Sequence, residues 1–263
     1  MIGSLFVRGL LVGLLAGLLA GGFAFVAGEP QVDHAIALEE AAAANESAGH
    51  HHAAGHHHAA DEHAEEAPLV SRGGQKGGLF LALALYGAAV GGVFGLVYAG
   101  VRGRVGRLSE PALAIALAGA LFVAVVLVPF LKYPANPPAV GDPETIASRT
   151  TSYLLMLVVG LVSLGTAAWA ARSVRQDAPG LARAIAATAG FLVPVVVAFL
   201  AMPTVDEVPT GFPASLLWDF RIAALGTQLV LWTGLGVVFA IVSERAAKRS
   251  LPRSERQESP APA

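Results

Sequence analysis

The sequence predicts an all-α, polytopic helical bundle of six membrane spans. Three observations carry that expectation: composition, evenly spaced charge-free runs, and a lopsided distribution of Lys and Arg. Of 263 residues, 55% are hydrophobic and 14% charged, where a soluble domain carries about 25% charged residues. The absence of cysteine excludes disulfide scaffolds, thiolate zinc sites, iron–sulfur clusters and cysteine nucleophiles. A net charge of −2 argues against a nucleic-acid partner held on a broad basic surface.

A helix needs roughly 20 apolar residues to cross a hydrocarbon core about 30 Å thick. Runs free of charge occupy 9–28, 77–101, 111–131, 150–171, 184–205 and 222–243, with lengths of 20, 25, 21, 22, 22 and 22 residues. The first run follows Arg8 and competes with a cleaved secretory signal, which would leave five spans. Its length exceeds a signal's apolar region of about 7–15 residues, and Phe25 would stand where a small residue is wanted for cleavage after Ala27. A retained span is the expectation.

Twelve of the 17 Lys and Arg residues fall on the side that holds both termini, and five fall on the other. Basic residues concentrate on the cytoplasmic side, so both termini are expected there. The organisation follows: a first span within 1–28, an extracytoplasmic His- and acid-rich loop over 29–76, expected to be largely disordered, a five-span domain over 77–243, and a disordered cytoplasmic tail over 244–263.

The loop over 29–76 contains all eight histidines and nine of the 19 acidic residues. His50, His51, His52, His56, His57, His58 and His63 lie in a low-complexity stretch padded with Ala and Gly. Imidazole suits Co, Ni, Cu and Zn, and a run of it on a flexible chain wraps such an ion. The bland alternative is a solvated spacer. Such a tract follows the Irving–Williams order rather than selecting cobalt, and it needs neutral imidazole, with an ordinary pKa of about 6.5. Its expected role is to raise the local concentration of ions. Glu29 and Asp33, one helical turn apart beside His34, are further metal candidates.

Two later loops on the same side look related. The third run ends Val128-Pro129-Phe130-Leu131-Lys132-Tyr133-Pro134, and the fifth ends Ala198-Phe199-Leu200-Ala201-Met202-Pro203. Each leads to a Pro-rich loop and then to an Arg, Arg149 or Arg221, at the start of the returning helix. Repeated helical hairpins are a common way to build a transporter, although Pro also simply ends spans. Tyr133, Asn136, Asp142, Arg149, Asp206, Asp219 and Arg221 in these loops, with Gln228 inside the last span, are candidates for an entrance and pathway. The aromatic and basic members also suit interfacial anchoring.

The spans hold almost nothing ionisable. Gly13, Gly17 and Gly21, and likewise Gly87, Gly91 and Gly95, follow the small-xxx-small spacing of closely packed helices. Pro129 and Pro194 are positioned to kink theirs. There is no GxxxxGK[ST] loop, no HExxH and no GxSxG, so neither an ATPase nor a membrane hydrolase has visible support. No enzyme activity and no tightly bound cofactor are expected. The expected ligand is a captured or transported divalent metal.

The run Pro129-Phe-Leu-Lys-Tyr-Pro-Ala-Asn-Pro-Pro-Ala-Val-Gly-Asp142 with Arg149 resembles the CbtA family of proposed cobalt transporters. So do Met202-Pro203 through Phe212-Pro213, Leu217-Trp218 and Phe220-Arg221, and the block Gly28-Glu29-Pro30 through Ala35-Ile36 with Glu39. The resemblance implies a bacterial cytoplasmic-membrane protein for Co²⁺ uptake, and the Irving–Williams order makes Ni²⁺ and Zn²⁺ competitors at the histidine tract. It also implies an association with cobalamin synthesis and a small His-rich one-span partner, CbtB. A metal-binding sensor or chaperone that passes ions to a separate permease is the alternative.

Overall fold

The computed structural model describes residues 2–49, 70–104, 108–175 and 177–250. Among them every regular element is helical: α1 (Ile2–Ala27), α2 (Glu29–Gly49), α3 (Arg72–Val101), α4 (Glu110–Phe122), a π segment (Val123–Leu127), α5 (Val128–Lys132), a 3₁₀ turn (Pro143–Thr145), α6 (Ile146–Ser173), α7 (Gly180–Ala201) and α8 (Ala214–Ser250). Six stretches are long and apolar enough to cross a membrane: Ile2–Ala27, Arg72–Val101, Glu110–Lys132, Pro143–Ser173, Gly180–Ala201 and Ala214–Ala246. Ser71 and Ser109 start α3 and α4, each side-chain oxygen accepting an N–H from the residue three further on.

The stretch after residue 28, expected as loop, is helical as α2 through Gly49. The Ala-rich stretch 41–44 favours helix there through its high intrinsic propensity. The tract from His50 to His63 lies outside the described residues.

The closest packing joins α1 to α3. A Cβ on Gly9, Gly13 or Gly17 would overlap the backbone carbonyl of Gly91, Gly87 or Leu83, and one on Gly87, Gly91 or Gly95 would overlap α1 in return. The two backbones touch directly, a geometry that gains dispersion and Cα–H···O contacts in a lipid solvent that offers no hydrophobic drive. On its other side α1 meets α8, where Phe23 lies against Gly226 and Ala16 against Gly234. α4 packs along α8, with Ala118 seated on Gly236. Towards the opposite end from α2, the buried rings of Phe94, Tyr98 and Phe239 form a trio with centroids 5.0–6.5 Å apart, Phe94 and Tyr98 stacked and Phe239 edge-on to both. The Tyr98 hydroxyl donates to the Glu110 carbonyl at 3.2 Å.

Both in-span prolines leave a carbonyl to satisfy, and the chain answers differently each time. In α7, Pro194 cannot donate to Gly190 O, and the Thr166 hydroxyl of α6 donates there at 2.6 Å. Around Pro129 the helix widens into the π segment, with Val128 N–H bonding Val123 O five residues back. Ala124 O then faces Gly160 of α6, where any Cβ would collide with it.

No residue of α7 is buried. It packs along α6, whereas α8 packs along α1 and α4. The two candidate hairpin repeats are therefore not packed alike.

Candidate functional site

The distinctive polar chemistry gathers where α1, α5 and α7 end and α6 and α8 begin. Met202-Pro203 ends α7, and the loop to α8 runs back across the loop 133–145. Four interactions fasten these segments. Lys132 Nζ donates to Phe199 O at 3.0 Å, over the last turn of α7, where a cation complements the helix dipole. The Tyr133 hydroxyl donates to Pro203 O at 2.8 Å. Arg221 Nε and Nη2 donate to Ala135 O at 3.3 Å and Asn136 Oδ1 at 2.9 Å.

The fourth fastening is Glu207. Its carboxylate accepts the Asp142 N–H at 2.9 Å and the Thr145 hydroxyl at 2.7 Å, and it pairs with Arg149 at 3.3 Å. These partners hold its pKa below the ordinary carboxylate value, the Asp142 N–H most, then the Thr145 hydroxyl, then the Arg149 charge. The turn Pro137–Val140 that shapes this lid places Ala139 at φ +64, a left-handed conformation costly for a residue with a Cβ. Gly141, at φ +124, lets the Arg149 guanidinium lie where a side chain would stand.

Beneath this lid lies a cavity of about 630 Å³. It reaches from Ala135 and Asn136 in the loop down to Gln228, which sits seven residues along α8 from Arg221, or about 10 Å deeper at 1.5 Å per residue. Tyr133, Asn136, Arg149, Arg221 and Gln228 line it, together with Thr150 and Tyr153. Arg149 Nε and Gln228 Oε1 are buried without a hydrogen-bond partner among the described residues.

Five of the eight pathway candidates thus meet in one cavity, and the three acids do not. Asp142 spends its side chain on capping Glu144 N–H at 2.9 Å. Asp206 and Asp219 are exposed and off the lining. Tyr153 lies within an apolar run, so nothing in the sequence marks it as a lining residue. Glu207 was visible as a loop acid, but nothing in the sequence separates it from its neighbour Asp206.

Glu29 and Asp33 form a second polar cluster. Asp33 accepts from Arg72 at 2.5 Å and from Lys76 at 2.8 Å, and Glu29 accepts from Arg72 at 2.8 Å. The Lys76 bond first, and then the Arg72 bond, hold the Asp33 pKa below its ordinary value. In this structure the two carboxylates, expected as metal ligands, clasp α2 to the start of α3, and His34 is exposed beside them. Among the described residues no three His, Cys, Asp or Glu side chains stand close enough to share a metal ion.

The family model described as "Probable cobalt transporter subunit (CbtA)" matches residues 2–244. No curated protein and no solved structure matches the chain. With nearly its whole length matched and its six apolar helices in place, the chain belongs to the CbtA family of probable cobalt transporter subunits.

Proposed function

We propose that this protein takes up divalent metal, cobalt foremost, across the bacterial cytoplasmic membrane, with the histidine-rich segment gathering ions on the outer side. The observation that carries the reading is the confinement of all eight histidines to the stretch between the first and second spans. Its stem, α2, packs against α1 and α8 and so begins at the same end of the bundle as the loop residues that line the cavity. Both termini are then cytoplasmic, in keeping with the excess of Lys and Arg on their side. Ni²⁺ and Zn²⁺ compete for the histidine tract, because imidazole ranks them with or above cobalt. A CbtB-like His-rich partner supplies what this chain lacks if it does not conduct alone.

Uptake needs no nucleotide. A divalent cation entering a cell at a potential of about −100 mV gains roughly 4.6 kcal/mol. The test is cobalt-57 entry into liposomes that contain only this protein, under an imposed inside-negative potential, with nickel and zinc as competitors. Saturable entry supports a self-sufficient transporter. Metal binding by well-folded protein without entry overturns self-sufficiency and assigns the chain to capture and delivery. Deleting residues 50–63 should weaken uptake at scarce metal and leave it intact at high metal. Loss at every concentration would place the tract in the pathway itself.

A further inference from the structure

A route for a bare divalent cation wants carboxylates or imidazoles along it, and the cavity under the lid is lined by neither. Its charge comes from Arg149 and Arg221. Arg149 is balanced by Glu207, but that carboxylate stands outside the lining and is also engaged by the Asp142 N–H and the Thr145 hydroxyl. Arg221 meets only neutral oxygens, those of Ala135 and Asn136, and no carboxylate of the described residues lies within ion-pair distance of it. The cavity therefore carries an uncompensated positive charge.

Such a charge is expensive in a partly buried site, where the reduced dielectric magnifies both its cost and its attraction for a counter-charge. A second guanidinium, that of Arg149, belongs to the same lining. Arg149 Nε is a buried donor with no acceptor, although buried donors in proteins are nearly always satisfied. Thr150 and Tyr153 belong to the same lining. Planar guanidinium donors match the oxygens of a carboxylate or phosphate, through charge-assisted bonds about twice as strong as neutral ones.

We infer that the cavity binds an oxyanion, the carboxylate or phosphate of a small organic molecule, through Arg221, with the charge of Arg149 beside it. A hydrated divalent cation alone is not its ligand. The volume of about 630 Å³ falls within the range of small-molecule sites. The phosphate chemistry is shared by soluble metabolites and by phospholipid headgroups, since the cavity lies at the ends of apolar helices. This inference goes beyond cobalt uptake and stands or falls separately from it.

The test uses the full-length protein in a neutral detergent. Inorganic phosphate, citrate, dihexanoyl phosphatidate and cobalt chloride are each titrated calorimetrically. In parallel, phenylglyoxal modification of Arg221 is followed by mass spectrometry with each of them present. Phosphate or citrate should bind and slow modification of Arg221 several-fold, and R221Q should weaken binding at least tenfold. R221K should recover part of that loss, and R175Q, in the loop between α6 and α7, should bind as the unaltered protein does. Protection by phosphatidate alone supports the same chemistry and names a lipid headgroup as its source. Failure of every oxyanion to protect Arg221, protection by cobalt chloride alone, or unchanged binding in R221Q overturns the inference. Should R221Q not fold, the modification data on the unaltered protein decide.

Discussion

The backbone contact between α1 and α3 makes the substitution Gly13→Ala a demanding test. The new Cβ would stand 2.8 Å from Gly91 Cα and nearer still to Gly87 O. Ordinary contact begins at about 3.4 Å, so the helices must part by roughly 1 Å, enough to forfeit much of the dispersion across the seam. Overpacking of this kind costs about 1–3 kcal/mol, and each weakened Cα–H···O contact adds roughly 0.5–1 kcal/mol. Gly22 lies on the same helix and has nothing within 4 Å of its added Cβ. Gly22→Ala should therefore be neutral or gain up to about 1 kcal/mol from helix propensity. The assay is thermal unfolding in detergent, read by intrinsic fluorescence. Gly13→Ala should melt clearly below the parent and Gly22→Ala at or above it. The combination of Gly13→Ala with Gly91→Ala should cost less than the sum of the two, because the first opens the seam that the second needs. Equal melting of Gly13→Ala and Gly22→Ala would refute the packing argument.

Other perturbations address the lid, the clasp and the peripheral helix. Glu207→Gln should lower the melting temperature at neutral pH by loosening the lid. The carboxylate's contribution is full above its ordinary pKa and is lost as pH falls through its lowered native value, so the gap between variant and parent should close in acid. Asp33→Asn should speed amide hydrogen exchange in α2. The parent should come to match the variant as pH falls through the lowered Asp33 value; unchanged exchange would show that the clasp does not hold α2. Thr166→Val removes the donor that answers Pro194 and should destabilise the α6–α7 contact by about 0.6–2 kcal/mol, measured by thermal unfolding.

Span number and type were legible because hydrocarbon excludes charge, so gaps between charged residues mark what can lie within it. The ends were less legible. Arg72, Lys76, Arg149, Arg183 and Arg221 all sit inside helices whose apolar runs begin after them, since long basic side chains reach the interface from within a helix. The fifth run extends to residue 205, but α7 stops at Ala201 because Pro203 disfavours helical geometry at Met202. The glycine spacing pointed correctly to a close seam but not to which faces meet. Arg149 and Arg221, paired by their matching places after Pro-rich loops, do line one cavity. The sequence could not show that the acids between them turn away, because capping and loop geometry decide which way a short side chain faces.

The contact of α1 with α8 bears on how the chain is made. A ribosome delivers the first span long before the last, yet Ala16 and Phe23 rest on Gly234 and Gly226. α1 and α3 can seal their glycine seam as soon as residue 101 has left the ribosome. The second wall of α1 must wait for more than a hundred further residues, with an apolar flank left to lipid or to the insertion machinery meanwhile. Assembly of this bundle thus ends with its last helix docking on its first, a long-range closure whose entropic cost falls late. Any nascent chain halted before residue 226 holds its early spans in the bilayer without the surface that completes them.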